Sequence, residues 1–143
     1  MGVTRGEYGL AARRSPDGFE HKYVRWQADR PNRDGKRPGI FSLANRLGNE
    51  GILSDDDWAW WRAANEWFNV AYITPADSIY DPIKNPGAAA YFKVTATHLL
   101  DRVPGYLDLL SRYSIGYECI RTSDPGRIIH EDPDQIVAVP RSS

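Results

Sequence analysis

The sequence predicts an α+β fold of two layers, in which a first strand joins a C-terminal three-stranded meander as an antiparallel sheet covered on one face by about four helices. Three observations lead there. Residues with β-propensity gather at the two ends of the chain, 19–27 and 117–139, while apolar residues between them recur at helical spacing. Strands grouped at the ends and helices grouped between them give separate layers, not an alternating βαβ sheet. A length of 143 residues with 41% hydrophobic side chains suits a single domain, 1–143, with a core of its own. Cys119 is the single cysteine, so no internal disulfide contributes to that core.

The elements follow in order. Residues 1–16 read as a loose arm ahead of the turn Pro16-Asp17-Gly18, and Phe19 to Gln27, with Tyr23, Val24 and Trp26, read as the first strand. The segment 30–37 holds Arg30, Arg33, Lys36 and Arg37 among Pro, Asn and Gly, which makes it a basic loop. Beyond Pro38, the spacing of Ile40, Phe41, Leu43, Ala44 and Leu47 predicts a short amphipathic helix stopped by Gly48 or Gly51. Ser54 and Asp57 then form a capping-box-like start, and Asp55, Asp56 and Asp57 complement the positive end of a helix dipole.

That second helix, from Asp55 to about Ala71, carries four of the five tryptophans. Trp60, Trp61, Ala63, Ala64, Trp67, Phe68 and Ala71 fall on an apolar arc about 160° wide, broader than a one-sided core stripe, so the helix is expected to pack on two sides. Trp58 projects from the polar face, one turn before Arg62. An exposed tryptophan beside a cation is a stacking platform or an anchor for a protein partner; cover by the N-terminal segment is the plainer alternative.

An irregular, Pro-rich stretch with Asp77, Tyr80 and Asp81 leads to Asn85-Pro86-Gly87, read as the cap and first turn of a third helix running to Val103. On it, Tyr91, Thr95, His98 and Arg102 stand at i, i+4, i+7 and i+11 and line up as one polar ridge. Pro104-Gly105 breaks this helix, and Tyr106 to Tyr113 make a further one. Tyr117 to Thr122, the turn Asp124-Pro125-Gly126-Arg127 and Ile128 to Glu131 read as a hairpin, and Gln135 to Val139 as the last strand.

Charge narrows the classes of function. The net charge of -1 is the remainder of nine basic and five acidic residues in 1–37, two and seven in 38–81, and seven of each in 82–143. No overall field draws the chain to nucleic acid or anionic lipid, and the acidic middle opposes a broad nucleic-acid surface, which leaves to nucleic acid the basic 30–37 loop, Arg13 and Arg14, and aromatics such as Trp26 and Trp58 for stacking. No apolar run approaches the roughly 20 residues of a membrane span. Met1 to Arg14 lacks the apolar core of a secretory signal, so a cytoplasmic location is expected. A P-loop fails at Arg30 and Arg37, no cofactor motif is present, and no cofactor or metal is expected. His130, Glu131, Asp132 and Asp134 offer metal-ligand chemistry, but strand neighbours point to opposite faces.

Two readings of function remain ahead of nucleic-acid binding. In the first, the chain is a binding module whose Trp-bearing helix and Pro-rich loop, with Trp58, Arg62 and Tyr80, engage a small anionic ligand or a protein partner, a second copy of itself included. In the second, it is a small cofactor-independent enzyme. His98 serves there as acid or base with Tyr91 assisting, and Arg102 and Thr95 hold an anionic substrate. A concave, partly dry cleft at the His98 ridge favours the enzyme; a concave aromatic surface favours the binding module.

Overall fold

The computed structural model describes residues 21–141. The loose arm expected at 1–16 and the start of the first strand at Phe19 lie outside the described residues. Among the described residues an α+β fold is present: a five-stranded sheet accompanies three helices of ten residues or more. In chain order these are β1 (Tyr23–Ala28), α1 (Ile40–Asn49), α2 (Asp55–Ala71), β2 (Ala89–Lys93), the single-turn α3 (Thr97–Leu100), α4 (Val103–Arg112), β3 (Tyr117–Thr122), β4 (Arg127–Glu131) and β5 (Gln135–Val139). A 3-10 turn, Asp77–Tyr80, lies in the Pro-rich stretch.

The strand order is β3-β1-β2-β5-β4. β1 and β2 pair antiparallel, as do β2 and β5, and β5 and β4. This corrects two expectations. The first is the helix from Pro86 to Val103: its middle is the central strand β2, with Ala90 opposite Val137 and Phe92 opposite Val24. Alanines favour a helix locally, but a segment hydrogen-bonded on both sides gains more from its neighbours than propensity takes away. The second is the meander. β4 and β5 do form a hairpin, but β3 lies at the opposite edge from β4, beside β1. The Lys22 amide donates to Ser123 Oγ (3.2 Å) and Gln27 Nε2 donates to Glu118 Oε2 (2.8 Å), so β3 is bonded along β1 in antiparallel sense.

The described residues gather into two compact units. One comprises 26–74 and 102–119; the other holds 75–101 and the chain up to Arg25 and from Ile120. In the second, β5 is buried along its whole length, Gln135 to Val139, so both of its faces are covered. Its polar member, Gln135, is satisfied: Nε2 donates to Asp132 Oδ2 at 2.9 Å.

Asp132 organises the β4–β5 turn. Its side chain, 8% exposed, also pairs with His130 Nε2 (2.9 Å) and accepts from the amides of Asp134 (3.0 Å) and Gln135 (3.2 Å). Burial pushes this carboxyl up, but the bonds from His130, Asp134 and Gln135 outweigh it, and its pKa lies below the ordinary value. A carboxyl lowered in the folded state stabilises above its unfolded pKa and loses that contribution as pH falls through the folded one, here below about pH 4. Asp132→Ala is therefore expected to cost about 1–3 kcal/mol at neutral pH and less near pH 2. Denaturant titrations at the two pH values check this; an equal loss at both would assign the effect to packing.

In the helical unit, Ile40, Ala44 and Leu47 of α1, Trp61 and Phe68 of α2, and Val103, Tyr106, Leu107, Leu109 and Leu110 of α4 form the core. Phe41, Phe68 and Tyr106 meet edge to face, with centroids 4.7–5.7 Å apart. α2 starts where the sequence places it: Ser54 Oγ accepts from the Asp57 amide at 3.2 Å. The Ser54 amide donates to Tyr113 Oη (2.8 Å), which itself donates to Asp57 Oδ2 (2.8 Å). Arg112 Nη2 donates to Asp57 Oδ1 at 2.7 Å, and these contacts, Arg112 first, hold the Asp57 carboxyl below its ordinary pKa. Pro104, expected to break a helix, lies in the first turn of α4, where a missing N–H costs nothing.

Candidate functional site

The polar ridge does not exist as a helix face. Tyr91 is on β2 opposite Ile136, Thr95 is exposed in the turn after β2, His98 is on α3, and Arg102 caps the start of α4. The helix that would align them is replaced by a strand, a turn and two separate helices. His98 Nε2 lies 3.6 Å from Asp134 Oδ2, with its side chain 54% exposed.

Tyr80 closes the 3-10 turn. Burial raises its phenol above the ordinary pKa, and the Arg25 charge opposes that rise. Arg25 is a neighbour that sequence spacing did not reveal; its Nη1 donates to Ala90 O at 3.1 Å. His130 turns to Asp132, whereas Glu131 accepts from Lys93 Nζ at 2.6 Å. Among the described residues no three His, Cys, Asp or Glu side chains converge as metal ligands.

The basic loop is organised by Asn32, whose Oδ1 accepts from the amides of Asp34 (2.9 Å) and Lys36 (3.0 Å). Arg37 is engaged internally, donating to Asp29 O at 2.6 Å and to Glu118 at 3.4 Å. Arg30, Arg33 and Lys36 face solvent. Cys119 is half-buried on β3.

The structure places the expected aromatic features on α2. Trp58 is 49% exposed, and the Arg62 guanidinium lies 5.8 Å from its ring centroid. The wide apolar arc resolves into two faces. One, with Trp61 and Phe68, is buried in the helical unit. The other, expected to be packed as well, is open among the described residues: Ala63 is exposed, Trp60 is 36% exposed and Trp67 half-buried, and the exposed Ala59 and Val70, the latter 88% exposed, extend it beyond the arc.

On this open face Ala63, Glu66, Trp67, Val70 and Ala71 line a shallow groove of about 410 Å³. The Arg102 guanidinium lies 4.0 Å from the Trp67 ring centroid. That is the geometry of a cation–π contact, and it keeps the charge exposed while holding the ring in place. The sequence signalled this face through the width of the arc. It did not signal Ala59 or Val70, which lie outside that arc, or the stacking of Arg102, which depends on where α4 begins.

No family model matches the chain, and no curated protein or solved structure is similar to it at a significant level. Among the described residues no helix is long and apolar enough to cross a membrane.

Proposed function

We propose that the chain is a non-catalytic binding module that engages a protein partner through the open face of α2. The observation that carries this reading is the open stripe of exposed Ala59, Ala63 and Val70 around the half-buried Trp67, with Trp60 beside it. Exposed apolar side chains scattered singly need no explanation, but a continuous row on one helix, centred on aromatic anchors, is the surface that partners dehydrate. A shallow depression lined by Ala63, Glu66, Trp67, Val70 and Ala71 lies on the same stripe, where apolar residues at i, i+3 and i+4 spacing on another helix would dock. The enzyme alternative needs His98 with Tyr91, Thr95 and Arg102, which stand on a strand, a turn and two helices, and the His98 side chain is 54% exposed rather than in a dry cleft.

Peptides selected from a random display library against the full chain are expected to carry apolar residues at helical spacing. They should lose about tenfold or more in affinity on Val70→Asp. The substitution should leave stability within about 0.5 kcal/mol, since the side chain is exposed. Selected peptides that bind Val70→Asp as well as the parent chain would overturn the reading.

A further inference from the structure

Resting on the reading of α2 as a docking face, we infer that its occupant is a second copy of this chain, docked with the two α2 helices antiparallel about a two-fold axis at Ala63. The pattern of side-chain size carries the orientation. Residues equidistant from the axis face each other, so on both sides Ala59 of one copy meets Trp67 of the other, Trp60 meets Glu66 and Asp56 comes over Val70, and Ala63 meets Ala63. A large ring is thus seated over a small residue at each end, and the helices approach closely at the centre. A parallel pair sets Trp67 against Trp67 and Ala59 against Ala59, which crowds one end and leaves a void at the other.

Charge selects the same orientation. The first turn of α2 holds Asp55, Asp56 and Asp57, and its last turn holds no base. The cation at that far end is Arg102, fixed on Trp67. Asp56 precedes Trp67 by 11 residues, about 16 Å along the helix, on the side that carries the stripe. In the antiparallel pair each Asp56 comes to the end where the other copy presents Arg102. In a parallel pair the acidic turns meet each other, and like charges repel. A single helix face is smaller than the roughly 800 Å² per partner of a standard stable interface, so the dimer is reversible and concentration-dependent.

Sedimentation of the full chain between about 1 μM and 1 mM is expected to show a reversible monomer–dimer equilibrium. Asp56→Arg sets arginine against Arg102, and Arg102→Asp sets aspartate against Asp56. Each alone is expected to weaken the dimer by about tenfold or more. Arg102 is exposed and makes no side-chain cap hydrogen bond, so the second variant is expected to stay folded. Mixing the two variants in equal amounts is expected to restore association, because in the mixed dimer both contacts join an arginine to an aspartate. A dimer indifferent to both variants, or variants that stay monomeric when mixed, would overturn the arrangement. A chain that is monomeric throughout, yet still binds helical peptides through Val70, would remove the second copy and leave the docking face standing. Absence of both would remove both.

Discussion

Gly48→Ala is expected to destabilise the protein by about 2–3 kcal/mol, although the same change in an open helix interior stabilises by about 1 kcal/mol. The sign is decided by Trp61. A β-carbon at Gly48 in α1 would lie 2.5 Å from both Cη2 and Cζ3 of that indole. No carbon pair tolerates such an approach, so either the ring or the helix moves. The ring is 5% exposed, and its Nε1 donates to Asn45 Oδ1 at 3.0 Å. It is therefore pinned from two directions, and relief requires α1 to back away from α2, loosening Ala44 and Leu47.

Gly105 in α4 provides the control. A β-carbon there meets Trp60 Cζ2 at 2.4 Å, an approach just as close. Trp60 is 36% exposed, however, and has room to swing toward solvent. Gly105→Ala is expected to cost about 1 kcal/mol or less. Urea denaturation of both variants checks the contrast; a Gly48→Ala chain as stable as its parent would show that the α1–α2 approach is soft.

The same contacts explain what a reader of the sequence can and cannot find. α2 is legible because every local signal agrees: a Ser54 cap, acids in the first turn, and apolar residues at helical period. Residues 88–93 mislead because Ala88, Ala89 and Ala90 favour a helix, while their strand conformation is imposed by β1 and β5, segments distant in sequence. The turn around Gly126 misleads differently. Its residues suit a hairpin, but a turn fixes only the local reversal, and β3 finds its partner in β1, nearly a hundred residues earlier. At the candidate site, Trp58 with Arg62 is legible from spacing within one helix. The Arg102 contact with Trp67 joins two helices, and the misread segment hides it.

The second large effect is expected at Asn65. Tyr106 is fully buried, and its hydroxyl donates to Asn65 Oδ1 at 2.6 Å. Asn65 Nδ2 in turn donates to Asn45 Oδ1 (2.9 Å), the oxygen that also accepts from Trp61. One asparagine thus satisfies a phenol sealed from water and ties it to α1. Asn65→Ala removes that acceptor and leaves the hydroxyl buried without it, for an expected loss of about 2–3 kcal/mol.

Tyr106→Phe is expected to cost only about 1 kcal/mol, since Asn65 is half-buried and water can reach it. Combining the two substitutions removes the stranded hydroxyl, so the double variant should be more stable than the sum of the single losses predicts, by about 1–2 kcal/mol. Additive losses would show that the bond contributes nothing beyond packing. An alkaline titration gives an independent reading. Burial pushes the Tyr106 phenol well above its ordinary pKa, so its contribution is complete below about pH 10 and is lost as pH rises beyond that value. Tyr106→Phe should therefore narrow its stability deficit, or reverse it, above about pH 10, because phenylalanine has no proton to lose. A deficit that stays constant into the alkaline range would mean that the phenol is hydrated.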